Sequence, residues 1–259
     1  MKKYSLDFEL FNATDGELLS KEVIDKSRER SNNWYKKDEG EDKSMRLAEI
    51  GVAISHYNIY QKILKEKIEF AIIMEDDASF DERFALFITR LKNIKRVLNK
   101  FDLILLGYCT HDLNYRIPGI CSYWGVLNIG KGFKVGIPLK WYWSAIGYII
   151  SYKGALLLSE KQGAYPCVTA DILTANSPKY GAKLGILTNP IIWPGELSQI
   201  STIQVGRTGE LPAYTPIEYP SRGKKTLSVL KIPRQLKNFL REVQLKLDKR
   251  KYLFTTDKY

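Results

Sequence analysis

The chain has 259 residues, of which 44% are hydrophobic and 12% aromatic, enough to form one large globular domain with a proper core. No run of 18 apolar residues occurs, so we expect no transmembrane helix. Residues 1–7 lack the apolar segment of a signal peptide, so we expect a cytoplasmic protein. The three cysteines are widely spaced and predict free thiols rather than a disulfide framework or a metal site.

The first third of the chain predicts a strand, a turn and two helices. Residues 6–11 alternate between apolar and acidic side chains, which is typical of a half-exposed strand, and residues 12–16 carry turn signals. A helix is expected near 20–30. Apolar residues at helical spacing over 47–67 predict one long helix, in which Gly51 allows another element to approach closely.

The most informative stretch runs from Ala71 to Ala78. Its apolar half predicts a buried strand of a parallel sheet, and Glu75, Asp76 and Asp77 follow directly at the carboxyl end. Three carboxylates cannot all stay charged in a low-dielectric site without a counter-charge. Mg²⁺ or Mn²⁺ carrying a phosphate would supply it, and ligands of open α/β sheets bind at this end of the strands. The alternative interpretation is a solvated turn or a helix N-cap.

Further helices and strands alternate after the acidic triplet. Helices are predicted over 83–100, from 153 and from 171, and strands over 101–107, 141–151, 185–188 and 191–193. Residues 107–140 show no periodicity and predict a long functional loop. The alternation predicts an α/β fold with a mostly parallel sheet flanked by helices.

Most of the positive charge lies in a C-terminal tail. Residues 222–259 contain 12 Lys/Arg and 3 Asp/Glu, a net charge of +9, which leaves +2 of the total +11 for residues 1–221. Apolar residues follow helical spacing from Pro233 onwards, which predicts a basic amphipathic helix. Such a helix is typical of binding to an anionic membrane surface, and the alternative is a helix packed on the body. We expect no nucleic-acid partner, because no recognition motif accompanies the charge.

Several segments together carry a resemblance to a known family. They are residues 49–56, the acidic triplet 75–77, residues 147–155 and residues 165–171, with residues 8–16 as an early motif. In this order and spacing they resemble glycosyltransferase family 25, which includes the bacterial lipooligosaccharide galactosyltransferases. The resemblance covers roughly residues 6–205.

The resemblance implies a nucleotide-sugar transferase of the GT-A fold over 1–221, followed by the tail 222–259. It implies inverting transfer of a hexose from a uridine-diphosphate sugar to a saccharide hydroxyl, with galactose favoured over glucose. The resemblance implies that Asp77 and Asp76 bind the metal ion. The family motifs place donor binding on Glu75, Asp76, Ser55, His56, Gly147 and Tyr148. For His56 the alternative is a structural hydrogen-bonding role.

Inversion in one step needs a general base for the acceptor proton. Asp171 is the candidate, with a helix N-cap as its alternative role, and Glu196 is the reserve candidate. The expected partners are UDP-galactose or UDP-glucose, a lipooligosaccharide acceptor and the inner membrane face. Family members normally open with a strand that helps to hold the nucleotide, and this strand is expected to be missing here. A catalytically inactive saccharide- or nucleotide-binding relative is therefore the alternative function.

Overall fold

The computed structural model describes residues 8–91, 98–109, 123–130, 132–139 and 141–195. Short 3₁₀ turns lie at Gly16–Leu18 and Ser177–Tyr180. The longer elements are, in chain order, α1 (Lys21–Asp38), α2 (Leu47–Lys65), β1 (Phe70–Met74), β2 (Ala78–Phe80), α3 (Glu82–Leu91), β3 (Leu103–Leu105), β4 (Tyr123–Gly130), β5 (Phe133–Pro138), β6 (Gly147–Ser151), α4 (Tyr152–Gln162), α5 (Ala170–Ala175), β7 (Leu184–Leu187) and β8 (Ile192–Pro194).

Side chains at the helix starts explain where the helices begin. The Ser151 hydroxyl accepts a hydrogen bond from the Gly154 amide at 3.0 Å and so caps α4. At the start of α2 the Glu49 carboxylate accepts from the Arg46 amide at 2.9 Å. The predicted long helix is confirmed as α2, and the helix expected near 20–30 extends to Asp38.

The main sheet has the order β1-β6-β3-β7-β5-β4, and a second sheet pairs β2 with β8. Only the β3–β7 pair is parallel, so the predicted mostly parallel sheet is wrong. The reason is that β6 runs antiparallel between β1 and β3. Helices cover both faces of these strands. A strand buried on both faces carries a continuous apolar run whether its neighbours are parallel or antiparallel, so the run does not reveal its direction.

The strand directions still place three carboxyl ends at one edge of the sheet. Strands β1 and β3 are both antiparallel to β6, so they point the same way, and β7 is parallel to β3. The acidic triplet therefore follows β1 at the edge where β3 and β7 also end and where β6 begins. This is the edge at which a ligand was expected.

The core consists of two clusters, because alternate strand residues point to opposite faces of the sheet. Leu103, Leu105, Tyr148 and Ile150 belong to the cluster with α2, α4 and α5. The residues between them, such as Ile104 and Ile149, belong to the cluster with α3. The architecture is thus a mixed α/β sheet with helices on both faces.

Two sequence expectations outside the core are wrong. Part of the expected loop over 107–140 is a β-hairpin, β4–β5, whose second strand pairs with β7. Residues 8–15 form no regular structure. Leu10 is 84% exposed, because the described part of the expected strand, residues 8–11, has no strand partner on the sheet.

No helix among the described residues is long and apolar enough to cross a membrane. The chain divides into two units, 1–217 and 218–259. The predicted basic tail, 222–259, and the reserve candidate Glu196 both lie outside the described residues.

Candidate active site

A tight acidic turn links β1 to β2. The Glu75 amide donates to the Ile146 carbonyl at 3.1 Å, which extends the pairing of β1 with β6, and the Ala78 amide donates back to the Glu75 carbonyl at 3.2 Å. The Gly195 amide donates to the Asp77 carbonyl at 2.7 Å. A Cβ on Gly195 would lie 2.9 Å from that carbonyl, so the approach of β8 to the turn needs glycine.

Asp77 is the carboxylate that the fold leaves unsatisfied. Its Oδ1 atom is buried and has no hydrogen-bond partner among the described residues. Burial, followed by the charges of Glu75 and Asp76, raises the pKa of Asp77 to about 6. A buried acceptor without a donor is costly. The fold therefore holds an anionic group at this point whose charge is uncompensated at neutral pH.

The donor set at this turn suits a hard divalent cation. Mg²⁺ and Mn²⁺ prefer carboxylate oxygens, and Mg²⁺ is commonly held by one or two carboxylates together with substrate phosphates. Within the described part of the chain, no three His, Cys, Asp or Glu side chains converge on a common metal position. The residues present thus fit a cation shared with a phosphate-bearing ligand rather than one enclosed by protein.

A buried hydrogen-bonded chain lies behind Glu75. The Nδ1 atom of His56 is 2.7 Å from the Tyr148 hydroxyl, which is 2.8 Å from the Tyr60 hydroxyl. The Nε2 atom of His56 is 3.7 Å from Oε1 of Glu75. The imidazole also stacks on the Tyr148 ring with 5.9 Å between centroids. Helix α2 and strand β6 thereby fix the orientation of His56 toward the acidic turn.

The surroundings of His56 favour one tautomer. A carboxylate faces Nε2, so an N–H at that atom is electrostatically preferred to a lone pair. Nδ1 then accepts from the Tyr148 hydroxyl, whose oxygen accepts in turn from Tyr60. Burial raises the pKa of both tyrosines, so both keep their protons.

Asp171 lies in the first turn of α5 but is not its N-cap. That position is Thr169, whose hydroxyl accepts from the Ile172 amide. Instead, the Asp171 Oδ1 atom accepts from the Ala145 amide at 2.6 Å, which fixes the carboxylate just before β6. After burial and the Tyr60 hydroxyl, the charges of Glu75 and Asp171 raise the pKa of Tyr148. Both carboxylates therefore act on Tyr148 from the same edge of the sheet.

The other predicted site residues, Ser55, Gly147 and Asp76, differ in their burial and in their contacts. Ser55 is buried, accepts from the Thr14 amide at 2.8 Å and donates to the Gly51 carbonyl, so it holds the early motif against α2. Gly147 pairs with Met74 at the start of β6, and a Cβ there would lie 2.4 Å from the Ile192 side chain. Asp76 is exposed at the turn. The donor-binding roles assigned to these residues stay predictions.

Tyr60 is the member of the site that the sequence interpretation missed. It lies four residues after His56 on the same face of α2, and residues at this spacing are neighbours on a helix. The signal was therefore present, since a polar pair on an otherwise apolar helix face indicates a buried hydrogen bond. Tyr148 was recognised only as part of a motif, and its hydrogen bond to His56 was not foreseen.

Comparison with known proteins identifies the family of this chain. The family model described as "Glycosyltransferase family 25 (LPS biosynthesis protein)" matches residues 1–174. The chain belongs to glycosyltransferase family 25. The predicted resemblance is thereby confirmed, and the matched segment includes the acidic turn, the His56–Tyr148–Tyr60 chain and Asp171.

Three proteins similar to this chain come from animals. A Glycosyltransferase 25 family member of Drosophila melanogaster is 29% identical over 59% of this chain and 23% of its own length. Procollagen galactosyltransferase 1-B of Xenopus laevis is 27% identical over 61% of this chain and 24% of its own length. Human procollagen galactosyltransferase 2 is 23% identical over 58% and 22%. The chain thus spans about a quarter of the length of the curated relatives it matches.

Proposed function

We propose that this chain is an inverting, metal-dependent hexosyltransferase that moves a hexose from a UDP-sugar to a saccharide hydroxyl. Galactose is the favoured donor sugar and glucose is the next. The observation that carries the proposal is Asp77, whose Oδ1 atom is buried just after β1 and has no hydrogen-bond partner among the described residues of this family 25 chain. A GT-A-type arrangement, with the nucleotide at this sheet edge, is part of the proposal.

Asp77 and Asp76 are the residues that would hold Mn²⁺ or Mg²⁺. When bound, such a cation neutralises charge on a diphosphate leaving group. The protein's own part is to keep the acidic turn in place through the Ile146 and Gly195 contacts and to orient Glu75 through His56. Because Mg²⁺ retains open positions for phosphate oxygens, two carboxylates suffice for this role.

Asp171 is the proposed general base for the acceptor hydroxyl. The Ala145 amide holds its Oδ1 atom, which orients the carboxylate without neutralising it. Developing positive charge at the sugar carbon is stabilised by nearby carboxylates, as in glycoside hydrolysis. Glu196 is the reserve candidate for the base.

The proposed acceptor is a lipid-linked saccharide of the lipooligosaccharide or lipopolysaccharide type at the inner membrane face. The family's description as an LPS biosynthesis protein and the basic tail support this acceptor. The names of the procollagen galactosyltransferases support galactose as the donor sugar and also suggest a second candidate acceptor, a procollagen-like polypeptide.

The test is a turnover assay on the full chain. UDP release is measured with UDP-galactose and UDP-glucose, with and without Mn²⁺, for the wild type, Asp77→Asn and the exposed control Glu160→Gln. We expect Mn²⁺-dependent release that Asp77→Asn lowers by about 10²-fold or more, as for removal of one preorganised electrostatic contact. Donor binding without any turnover would instead favour a catalytically inactive relative.

A further inference from the structure

Two tryptophans share one side of the segment that leads into β6. The Trp143 amide and carbonyl both pair with Cys109, at 3.1 and 2.9 Å, so the backbone is strand-like there. Side chains alternate along such a segment. Tyr142 is buried and packs edge-on against Tyr108 at 5.1 Å between centroids. Trp141 and Trp143 therefore lie on the other side, with ring centroids 6.4 Å apart and planes inclined by 35°.

Three hydrogen bonds fix this segment to the helix that carries Asp171. The Trp141 indole N–H donates to Asn176 Oδ1 at 3.3 Å, and the Thr174 hydroxyl donates to the Ser144 carbonyl at 3.0 Å. The third is the Ala145 amide to Asp171. The indole pair and the candidate base thus form one locally rigid unit at the sheet edge.

The fold uses these two rings little in its core. Both are partly exposed, and neither belongs to the two buried clusters. The Trp143 indole N–H is buried and has no acceptor among the described residues. A buried donor without an acceptor is costly and calls for an explanation. A rigid aromatic pair beside a fixed carboxylate is a common lining of a small-molecule site.

We infer that Trp141 and Trp143 form the binding platform for the acceptor saccharide. A pyranose ring presents an apolar C–H face and a rim of hydroxyls. The face stacks on the indoles, and the rim lies within reach of Asp171. The ligand class is a neutral hexopyranoside. The inference rests on the proposed function, because it assigns the acceptor side of the same site.

The first test is a binding measurement that needs no turnover. The full chain is labelled with 5-fluorotryptophan, and its ¹⁹F resonances are assigned with single Trp→Phe variants. Methyl β-galactopyranoside and methyl β-glucopyranoside are then titrated to about 50 mM, above the millimolar dissociation constant expected for weak stacking. Saturable shifts confined to the resonances of Trp141 and Trp143 support the platform. No shift, or equal shifts at Trp34 and Trp124, overturns it.

The second test separates the platform from the donor site. Trp143→Ala should raise the KM for the glycoside acceptor by about tenfold, as loss of one aromatic contact predicts, and raise the KM for the UDP-sugar by a smaller factor. Trp143→Phe should restore most of the affinity, and Trp124→Ala is the matched control. An unchanged acceptor KM in Trp143→Ala overturns the inference. If the wild type turns over no donor but the ¹⁹F shifts occur, the proposed function fails and the platform stands.

Discussion

At the residue scale, the site depends on charges and hydroxyls that the fold buries at one sheet edge. Asp77 is an acid held where its charged form is disfavoured, with its pKa raised to about 6. His56 is hydrogen-bonded to Tyr148 through Nδ1, and its Nε2 atom lies 3.7 Å from Oε1 of Glu75. Asp77 is therefore less favourable in the empty protein than an uncharged replacement would be, which is typical of functional sites.

Asp77 should make the stability of the protein depend on pH. Its pKa in the folded state, about 6, lies above the ordinary aspartate value of 3.8, so protonation favours folding, and this contribution is lost as pH rises through that window. Asp77→Asn should therefore raise Tm by about 3 °C at pH 7.5, a modest value because the group is partly exposed. The difference should shrink towards pH 4. Calorimetry of both proteins across this range checks it, and an equal difference at both ends contradicts it.

Tyr60 and Tyr148 should be energetically coupled. Tyr60→Phe leaves the buried Tyr148 oxygen without its donor and should lower the free energy of unfolding by about 1–3 kcal/mol. In the Tyr148→Phe background the same substitution should cost less, because the shared hydrogen bond is already lost. Urea denaturation of the two single variants and the double variant measures the coupling. Strictly additive effects would contradict a direct bond between these hydroxyls.

At the element scale, β8 and the residues on either side of it connect the acidic turn to the residue that follows β3. The Ile191 amide donates to the Leu106 carbonyl, and the Gly195 amide donates to Asp77. Gly107 and Gly147 permit the approach, because a Cβ on either residue would lie 2.4 Å from an Ile192 atom. For Gly107 this atom is the Ile192 carbonyl oxygen, and for Gly147 it is the end of the side chain.

This difference predicts which glycine variant can be rescued. Gly107→Ala and Gly147→Ala should each cost about 1–3 kcal/mol of unfolding free energy, as overpacking does. Ile192→Val removes the atom nearest to Gly147 and should recover part of the cost of Gly147→Ala. It should recover none for Gly107→Ala, where backbone is the obstacle. The measurement is urea denaturation of Gly107→Ala and Gly147→Ala, each with and without Ile192→Val. Equal rescue of the two glycine variants would show that the contacts are misassigned.

The sequence predicted the elements around the site better than their directions. The long helix α2 and the strand over 70–74 were confirmed, because their apolar periodicity is strong. The antiparallel course of β6 was missed, since a strand covered on both faces carries no mark of direction. The hairpin β4–β5 was missed because its solvent-facing residues and turn glycines obscure the alternation.

Part of the site was predictable from local sequence alone. Asp77 and His56 stand out because charge next to an apolar strand or on an apolar helix is unusual in a chain. The Ala145 contact of Asp171 and the position of Tyr60 are products of tertiary packing between segments distant in sequence. Local pattern can indicate that a helical polar residue such as Tyr60 forms a buried hydrogen bond, but it does not identify the distant partner.

At the scale of the whole molecule, the charge distribution predicts a membrane contribution from residues 222–259. The net charge of +9 in this segment should bind vesicles containing anionic lipid, at about 1 kcal/mol per basic residue near the surface. We expect co-sedimentation with phosphatidylglycerol vesicles that weakens as salt rises. Removal of residues 222–259 should abolish it and leave turnover on a soluble acceptor intact. Equal vesicle binding without the segment would contradict the prediction.

The most direct test of the central claim is calorimetric titration of UDP-galactose into the full chain, with and without Mn²⁺. Asp77→Asn and Glu160→Gln serve as the variant and its control. The account predicts binding that requires Mn²⁺, that Asp77→Asn removes and that Glu160→Gln retains. Binding of equal strength in Asp77→Asn, or no dependence on Mn²⁺, would contradict the assignment of Asp77 and with it the proposed donor site.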